Sequence, residues 1–506
     1  MKLLLKGMVF FFIGTIFTKI FAYVYRAIIA RGFSVEEYGV FSLALTVFGI
    51  ATVIATLGIS QGVERFLGYF TAEPQKIKGI IKSAFKIALP ASIAMAILII
   101  VLSKTIAIHL FHEQALTPLL IVIAVGLPFF IITDINTAIF RGVKNVKYQM
   151  YIKDILENVL KITITGAAIF LGAQIIGAIY AYVIALIIAS VAGYRLVKKK
   201  IIPKVEKIPK MDKELFSFSW PIMFTGLFYT ATKWTDTFML GILDTKTSVG
   251  LYNAALPIAG LLTIVYAAFG SLIIPVLAEM HKNKEYNMLK EVFLRLNKWI
   301  FIITLPLFVI TLLFPEQLLT LLFGFKYIQA ASALRWLALG FFFGVMAGHV
   351  GALMNILGKT KPRMLIWISG GVLGIILNYF FIKAFSLEGA ALATAITFFY
   401  LNIASMIYIK KEVHFTTFTK KYFKPAIAMI IPILTVLGIQ AMTGRFNLWG
   451  FIIASIGLTI LYAFLTIIFK SLDKEDTQLV ELVEKKTGMN LHSLRKFLKK
   501  HSNESS

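Results

Sequence analysis

The chain contains no cysteine. That excludes disulfides, thiolate nucleophiles and cysteine-based metal sites, and it leaves no redox mark of a compartment. Charge is also scarce: Asp, Glu, Lys and Arg make up 15% of the 506 residues, against 58% hydrophobic. No soluble domain of this length needs so much apolar material, so the chain reads as a polytopic membrane protein. Acids are the scarcer sign, 25 against 51 Lys and Arg, for a formal net charge of +26. Binding to nucleic acid would need those cations gathered on a folded polar face. Here they punctuate apolar runs, which is the pattern of membrane topology. The opening MKLLLKG precedes an apolar run too long for a signal-peptide core, with no small-x-small cleavage pattern after it, so the segment is expected to be retained.

An apolar helix needs about 20 residues to cross the hydrocarbon. On that measure the chain holds fourteen expected spans, at 8–30, 38–61, 83–103, 117–139, 154–172, 174–195, 216–240, 249–276, 298–315, 332–356, 363–383, 387–409, 424–442 and 447–469. With the N-terminus inside, inside segments carry 40 Lys and Arg and outside segments 7, namely Arg31, Lys104, Lys246, Lys326, Arg335, Lys383 and Arg445. The bias predicts an even number of spans and cytoplasmic termini. All outside loops are short, so no extracellular domain is available for catalysis.

The longest inside loop, Arg195 to Glu214, splits the chain near its middle, and the two parts repeat one another. EYGVFSLAL at Glu37–Leu45 returns as SVGLYNAAL at Ser248–Leu256, an offset of 211. HLF at His109 answers LLF at Leu321, and the segment from Gly177 answers that from Gly389, each at an offset of 212. Six spans separate the copies, so the halves share one orientation, as in two-bundle transporters with a central site. The expected organisation is a six-helix bundle at 1–200, a cytoplasmic linker at 201–215, a second six-helix bundle at 216–412, two further helices at 413–470 and a basic tail at 471–506. Apolar spacing in that tail suits amphipathic helices on the inner membrane surface, or else a solvated tail.

Apart from those near span ends that count with the loops, four cations fall inside expected spans: Lys19, Arg26, Lys161 and Lys233. Each costs a few kcal/mol on insertion scales. Lys19 and Arg26 are two turns apart and share a helix face, which suits a cavity lining. Arg26 is also near enough to a helix end to snorkel. Lys233 and Asp236 are three apart in the seventh span, within reach of a mutual pair. Asp134, Glu157 and Lys161 form a similar set, and the i,i+4 spacing of the last two favours a local ion pair. A cavity bordered by Lys19, Arg26 and Lys233 has the chemistry for an anionic head group, because fixed cations hold phosphate oxygens by charge-assisted hydrogen bonds.

Other features have structural readings. Glu36 and Glu37 suit the first turn of the second helix, where acids favour the positive dipole end. His109 and His112 lack a nearby third ligand, so they read as a loop feature rather than a metal site. The glycines at 351–358 and 370–374 suit close helix packing. Pro90, Pro128, Pro221, Pro257, Pro275 and Pro306 fall in or near spans, where they bend helices.

The segments ARGFSVEEYGVFSLAL (Ala30–Leu45), IFRGVKNVKYQ (Ile139–Gln149), WTDTFMLGILDTKTSVGLYNAAL (Trp234–Leu256) and FPEQLLTLLFGFKYIQAASALRWLALG (Phe314–Gly340) resemble the multidrug/oligosaccharidyl-lipid/polysaccharide exporter superfamily, and most of all its O-antigen-type polysaccharide flippase branch. The likeness extends over essentially the whole chain. It implies an all-α membrane fold of about 14 helices, with two parallel six-helix repeats around a central cavity and two extra C-terminal helices. It implies movement of polyprenyl-diphosphate-linked oligosaccharide across the cytoplasmic membrane by alternating access. Lys19, Arg26 and Lys233 would then engage the diphosphate, with Arg31 or Arg65 as gate residues. Related lipid II flippases hold a monovalent cation near an acid of helix 7 and polar groups of helices 11 and 12. Asp236, Asn378 and Thr394 fall there, with Asp134 a further acid for coupling to Na⁺ or H⁺, although Asn378 stands where a carboxylate would strengthen such a site. The implied partners are the lipid-linked glycan, membrane lipids and glycan assembly enzymes, with the flippase itself monomeric. Two other readings stay open: a cation-coupled drug exporter of the same superfamily, kept alive by Asp134 and Asp236, and a membrane-embedded glycosyltransferase or polymerase, against which stands the lack of a paired-carboxylate loop apart from Glu36 and Glu37.

Overall fold

The computed structural model describes residues 18–203, 205 and 206, 208–413, 422–469, 471 and 484, with the side chains of 225, 228, 229, 231–233, 271 and 272 outside that description. Every described element is helical. Helix α1 covers 18–32, followed by α2 (Val35–Thr56), α3 (Ile59–Tyr69), α4 (Pro74–Thr105), α5 (Leu116–Gly142) and the single turn α6 (Val146–Gln149). Next come α7 (Glu157–Phe170), α8 (Ile175–Lys200), α9 (Asp212–Leu243), α10 (Lys246–Gly260), α11 (Thr263–Lys282), α12 (Tyr286–Leu313) and α13 (Pro315–Leu322). The last are α14 (Ala331–Met346), α15 (Val350–Ile356), α16 (Thr360–Val413), α17 (Phe423–Thr443) and α18 (Leu448–Ile468). Helix is found at every expected span, and among the described residues nine helices are long and apolar enough to cross a membrane, or ten counting one bent pair. Residues 8–17 of the first expected span lie outside the description, as does the expected tail apart from Ser471 and Glu484.

The structure divides several stretches that hydropathy alone reads as continuous. The expected helix 38–61 stops at Thr56, because Leu57 and Gly58 both take positive φ, 51° and 69°. Gly58 is required there twice over: its φ favours glycine, and a Cβ would meet the Ser219 carbonyl. The expected span 249–276 breaks between α10 and α11 with a 46° bend, three residues after Pro257. A π-helical turn, Met150–Leu156, precedes α7; the Asn158 amide donates to the Lys153 and Asp154 carbonyls there, at 3.1 and 3.0 Å. Helix α16 is interrupted at Ser386, with φ 51° and ψ −130°.

Two compact units result. The first comprises Met1–Ala254 and Asn378–Leu387, the second Ala255–Leu377 and Glu388–Ser506. In the first unit, Ile59, Ile80, Ile131, Ile135, Ile139 and Phe140 are buried in a core shared by α3, α4 and α5. Small Ala and Gly side chains let these helices approach closely, which is the main route to stability where lipid is as apolar as the core. In the second unit, Phe301, Phe308, Phe314, Phe342 and Phe451 form an aromatic core between α12, α14 and α18. Gly370 and Gly374 face Leu401 and Thr397 there, the close packing expected of the glycine-rich stretch.

Inside the first unit the sequence repeat becomes a contact. A Cβ on Gly39 would meet the Lys246 carbonyl, and one on Gly250 would meet the Val35 carbonyl. These are the same interaction written twice at the 211-residue offset, so α2 and the start of α10 cross about a local two-fold with backbone against backbone. Around it, Glu36 and Glu37 lie in the first turn of α2, as expected, and Ser34 and Glu37 form a capping box at 3.1 and 2.9 Å. The Thr247 hydroxyl donates to Glu36 at 3.3 Å, again a repeat-equivalent pair, and Lys246 pairs with Glu113 at 2.8 Å.

Candidate functional site

Helix α1 carries Lys19 and Arg26 on one face, and both are half-buried. Among the described residues neither forms an ion pair. Arg26 lines a small crevice with Tyr38, Phe41, Ser42, Leu45, Trp234 and Asn253. Its guanidinium reaches the Tyr38 hydroxyl, which itself donates to the Asn253 carbonyl at 3.2 Å. The Asn253 amide donates in turn to Thr237 at 3.2 Å. This relay ties α1, α2, α10 and α9 into one polar line. Lys233 immediately precedes Trp234 on α9, and its side chain is outside the described residues.

Asp236 and Asn378, picked out together from the sequence, are in contact. The Asn378 amide donates to Asp236 Oδ1 at 2.8 Å, and the Tyr252 hydroxyl donates to Oδ2 at 2.8 Å. Hydrogen bonds to a charged group contribute about 1.5–3 kcal/mol each, so two of them offset an insertion cost of about 2.5–3.5 kcal/mol for a mid-helix carboxylate. Eight residues further along both segments, the Ser386 hydroxyl donates to Asp244. Thr394 belongs to the second unit, where it is buried and its hydroxyl donates to the Ala390 carbonyl at 3.0 Å.

The remaining singled-out residues are elsewhere. Asp134 accepts from the Ser60 hydroxyl and from Lys153 at 3.4 Å, on the wall of an open cavity of about 260 Å³ lined by α2, α3, α5 and α9. Lys161 and Glu157 form the buried i,i+4 pair read from their spacing, at 2.5 Å, with the Lys161 ammonium 4.2 Å from the Tyr182 ring centroid. Arg65 is exposed near the end of α3, its guanidinium stacked 4.2 Å from the Phe218 ring. Arg31 is exposed at the end of α1.

Sequence reasoning missed Tyr252, Asn253, Tyr38 and Lys153. The repeat held a signal for the first: Tyr252 stands where the first copy has Phe41, and Asn253 where it has Ser42. A polar departure between otherwise apolar copies marks the side of the repeat that carries the carboxylate.

These helices, bent and paired through a repeat, are the architecture of a polytopic membrane transporter. Comparison with known proteins makes the assignment specific. The profile of the polysaccharide biosynthesis protein family matches residues 4–281, and that of the MatE family matches residues 221–380. The chain belongs to the polysaccharide biosynthesis protein family, within the multidrug/oligosaccharidyl-lipid/polysaccharide exporter superfamily. It is similar to a putative O-antigen transporter of Shigella flexneri, 26% identical over 382 residues, covering 73% of this chain and 88% of the relative. Its fold is similar to that of the lipid II flippase MurJ in an inward closed conformation, with a TM-score of 0.71 and 18% identity over 90% of this chain and 98% of that one. It is also similar to an inward-facing multidrug resistance MATE family transporter, with a TM-score of 0.65 and 17% identity over 78% and 94% of the two chains.

Proposed function

We propose that this protein is a flippase that carries polyprenyl-phosphate- or diphosphate-linked oligosaccharide across the cytoplasmic membrane by alternating access, for synthesis of a cell-surface glycan. The observation that carries the reading is the α1 face: Lys19 and Arg26, half-buried and without a carboxylate partner among the described residues. Unpaired cations in a membrane helix are costly and mark ligand paths. A phosphate or diphosphate supplies the missing charge through several charge-assisted hydrogen bonds. Family membership and the similarity to an O-antigen transporter support the glycan part. Lys233 is proposed as a third ligand of the same head group.

The 40-to-7 distribution of Lys and Arg supports cytoplasmic termini. On that orientation the Gly39–Gly250 crossing closes the outer end of the first unit, and transport requires it to part. Asp236 is a carboxylate within a membrane-spanning helix that accepts from the Tyr252 hydroxyl and the Asn378 amide, and we assign coupling to a proton or a monovalent cation to it. The work done is translocation, with no covalent step.

Proteoliposomes loaded with a polyprenyl-diphosphate oligosaccharide test the proposal. Protein-dependent translocation is expected, falling at least tenfold in Lys19→Ala and in Arg26→Ala while both variants keep the wild-type melting temperature. Absence of translocation from folded wild-type protein, across several lipid-linked glycans, sinks the reading. A second reading, cation-coupled drug export, is favoured by the MatE match over residues 221–380. Ion-driven efflux of cationic dyes that is lost in Asp236→Asn is its signature.

A further inference from the structure

The α1 cations account for an anionic head group and leave the sugar without a seat. The 260 Å³ cavity lined by α2, α3, α5 and α9 has the opposite chemistry. Its wall includes Thr52, Thr56, Gln61, Phe130, Asp134 and Thr230, with neither Lys19 nor Arg26 among its lining residues. Gln61 is exposed to it, and among the described residues its amide makes no hydrogen bond. Thr52 and Thr56 donate to the Gly49 and Thr52 carbonyls at 2.7 and 2.6 Å, so both hydroxyls present acceptor lone pairs outward. Asp134 uses one lone pair on Ser60 and one on Lys153 out of about four.

The charge balance narrows the ligand. A phosphate in this cavity would meet the Asp134 carboxylate. A free cation would meet the Lys153 ammonium, which already lies 3.4 Å from that carboxylate and is carried there by the π-helical turn of Met150–Leu156. What remains is a neutral group rich in O–H donors, matched to a carboxylate, an amide and threonine oxygens, with the Phe130 ring as an apolar wall. The volume lies just below the roughly 300 Å³ at which drug-sized pockets begin, which suits one sugar ring.

We propose that this cavity is a saccharide subsite, in which the Asp134 carboxylate accepts hydrogen bonds from the hydroxyls of one sugar residue of the translocated glycan and the Gln61 amide both accepts from and donates to them. This rests on the flippase reading and adds to it a sugar-recognition element separate from the cationic face. The break at Leu57–Gly58 builds the subsite, since continuing α2 through those residues would carry Gln61 off the cavity wall.

The test compares two synthetic probes in proteoliposomes, polyprenyl diphosphate bearing a disaccharide and polyprenyl diphosphate bearing none, with free disaccharide as competitor. Gln61→Ala and Asp134→Asn are each expected to lower apparent affinity for the glycosylated probe by about tenfold, the ordinary worth of one or two neutral hydrogen bonds, and to leave the bare diphosphate unaffected. Gln61 is exposed, so its variant keeps the test valid should Asp134→Asn misfold. Millimolar free disaccharide should compete with the glycosylated probe only. Equal losses for both probes, or an unchanged Gln61→Ala together with an Asp134→Asn that alters only ion dependence, overturns the subsite. If wild-type protein moves neither probe, the flippase reading itself is what fails.

Discussion

Gly39→Ala introduces one methyl group at the point where α2 crosses the start of α10. The methyl meets the Lys246 carbonyl, a backbone atom that cannot rotate away, so relief requires the two helix ends to separate. Overpacking in a well-packed interior costs about 1–3 kcal/mol, and the upper part of that range applies where the obstacle is backbone. At about 1.4 kcal/mol per factor of ten, the closed crossing loses roughly thirty- to a hundredfold in its equilibrium with the parted form. The absence of native cysteine makes this measurable. In a Glu36→Cys/Thr247→Cys background, whose native side chains are 3.3 Å apart, a short bifunctional thiol reagent should bridge the pair rapidly. Gly39→Ala should slow bridging at least fivefold, and Gly250→Ala should do the same because it meets the Val35 carbonyl in the mirrored position. The double variant should add little, since both methyls oppose a single contact. Gly166→Ala, with open space around its Cβ, is the control and should bridge like the parent. Unchanged bridging in Gly39→Ala, or an effect from one glycine without the other, would refute the local two-fold.

Three more outcomes are expected. Glu157→Gln should destabilise the protein in detergent by about 3–5 kcal/mol, because it strands the buried Lys161 ammonium; Glu157→Leu with Lys161→Met should restore most of the loss in the same melting assay. Tyr252→Phe removes the hydroxyl that donates to Asp236 and should shift the pH or cation concentration of half-maximal transport several-fold, with the melting temperature nearly constant; an unchanged ion dependence argues against coupling at Asp236. Gly58→Ala combines a positive φ with a clash at the Ser219 carbonyl and should cost more than about 2 kcal/mol, read as a lower melting temperature and weaker expression.

Apolar run length was enough to place a helix at every expected span, because crossing hydrocarbon leaves the backbone little choice but to satisfy itself internally. The repeat was legible for a related reason: Gly39 and Gly250 sit where two backbones touch, and no other side chain fits. The breaks were not legible. Leu57 is an ordinary residue for a membrane helix, and its positive φ goes with a close approach of Gly58 to α9, 161 residues further on at Ser219, which no local pattern announces. The same limit applied to the sites. Glu157 and Lys161 could be paired from spacing because both ends of the bond lie on one helix. Lys153 counted as a cytoplasmic loop cation until the π-helical turn brought it to Asp134, and Tyr252 looked like one more aromatic in a span until α10 folded back on α9.

The buried and half-buried charges of the first unit show two solutions to one cost. Lys161 and Asp236 are compensated by the protein: the first by Glu157 and the Tyr182 ring, the second by two donors on separate helices. Asp134 is compensated by Ser60 and Lys153, with lone pairs to spare. Lys19 and Arg26 have only neutral company among the described residues, although Glu157 shows that an acid four residues away on the same helix would have sufficed. On the proposed reading, where a simple local remedy exists and is not used, the charge is kept for something that comes and goes. An anionic substrate entering with each cycle, as proposed, would supply that compensation in one state and withdraw it in the next. Ala22, half-buried on α1, stands three residues after Lys19 and four before Arg26, within one turn of both. Placing a carboxylate there should therefore raise stability and abolish translocation together. An Ala22→Glu variant that melts higher and still transports at the wild-type rate would show that the α1 cations serve the fold rather than the substrate.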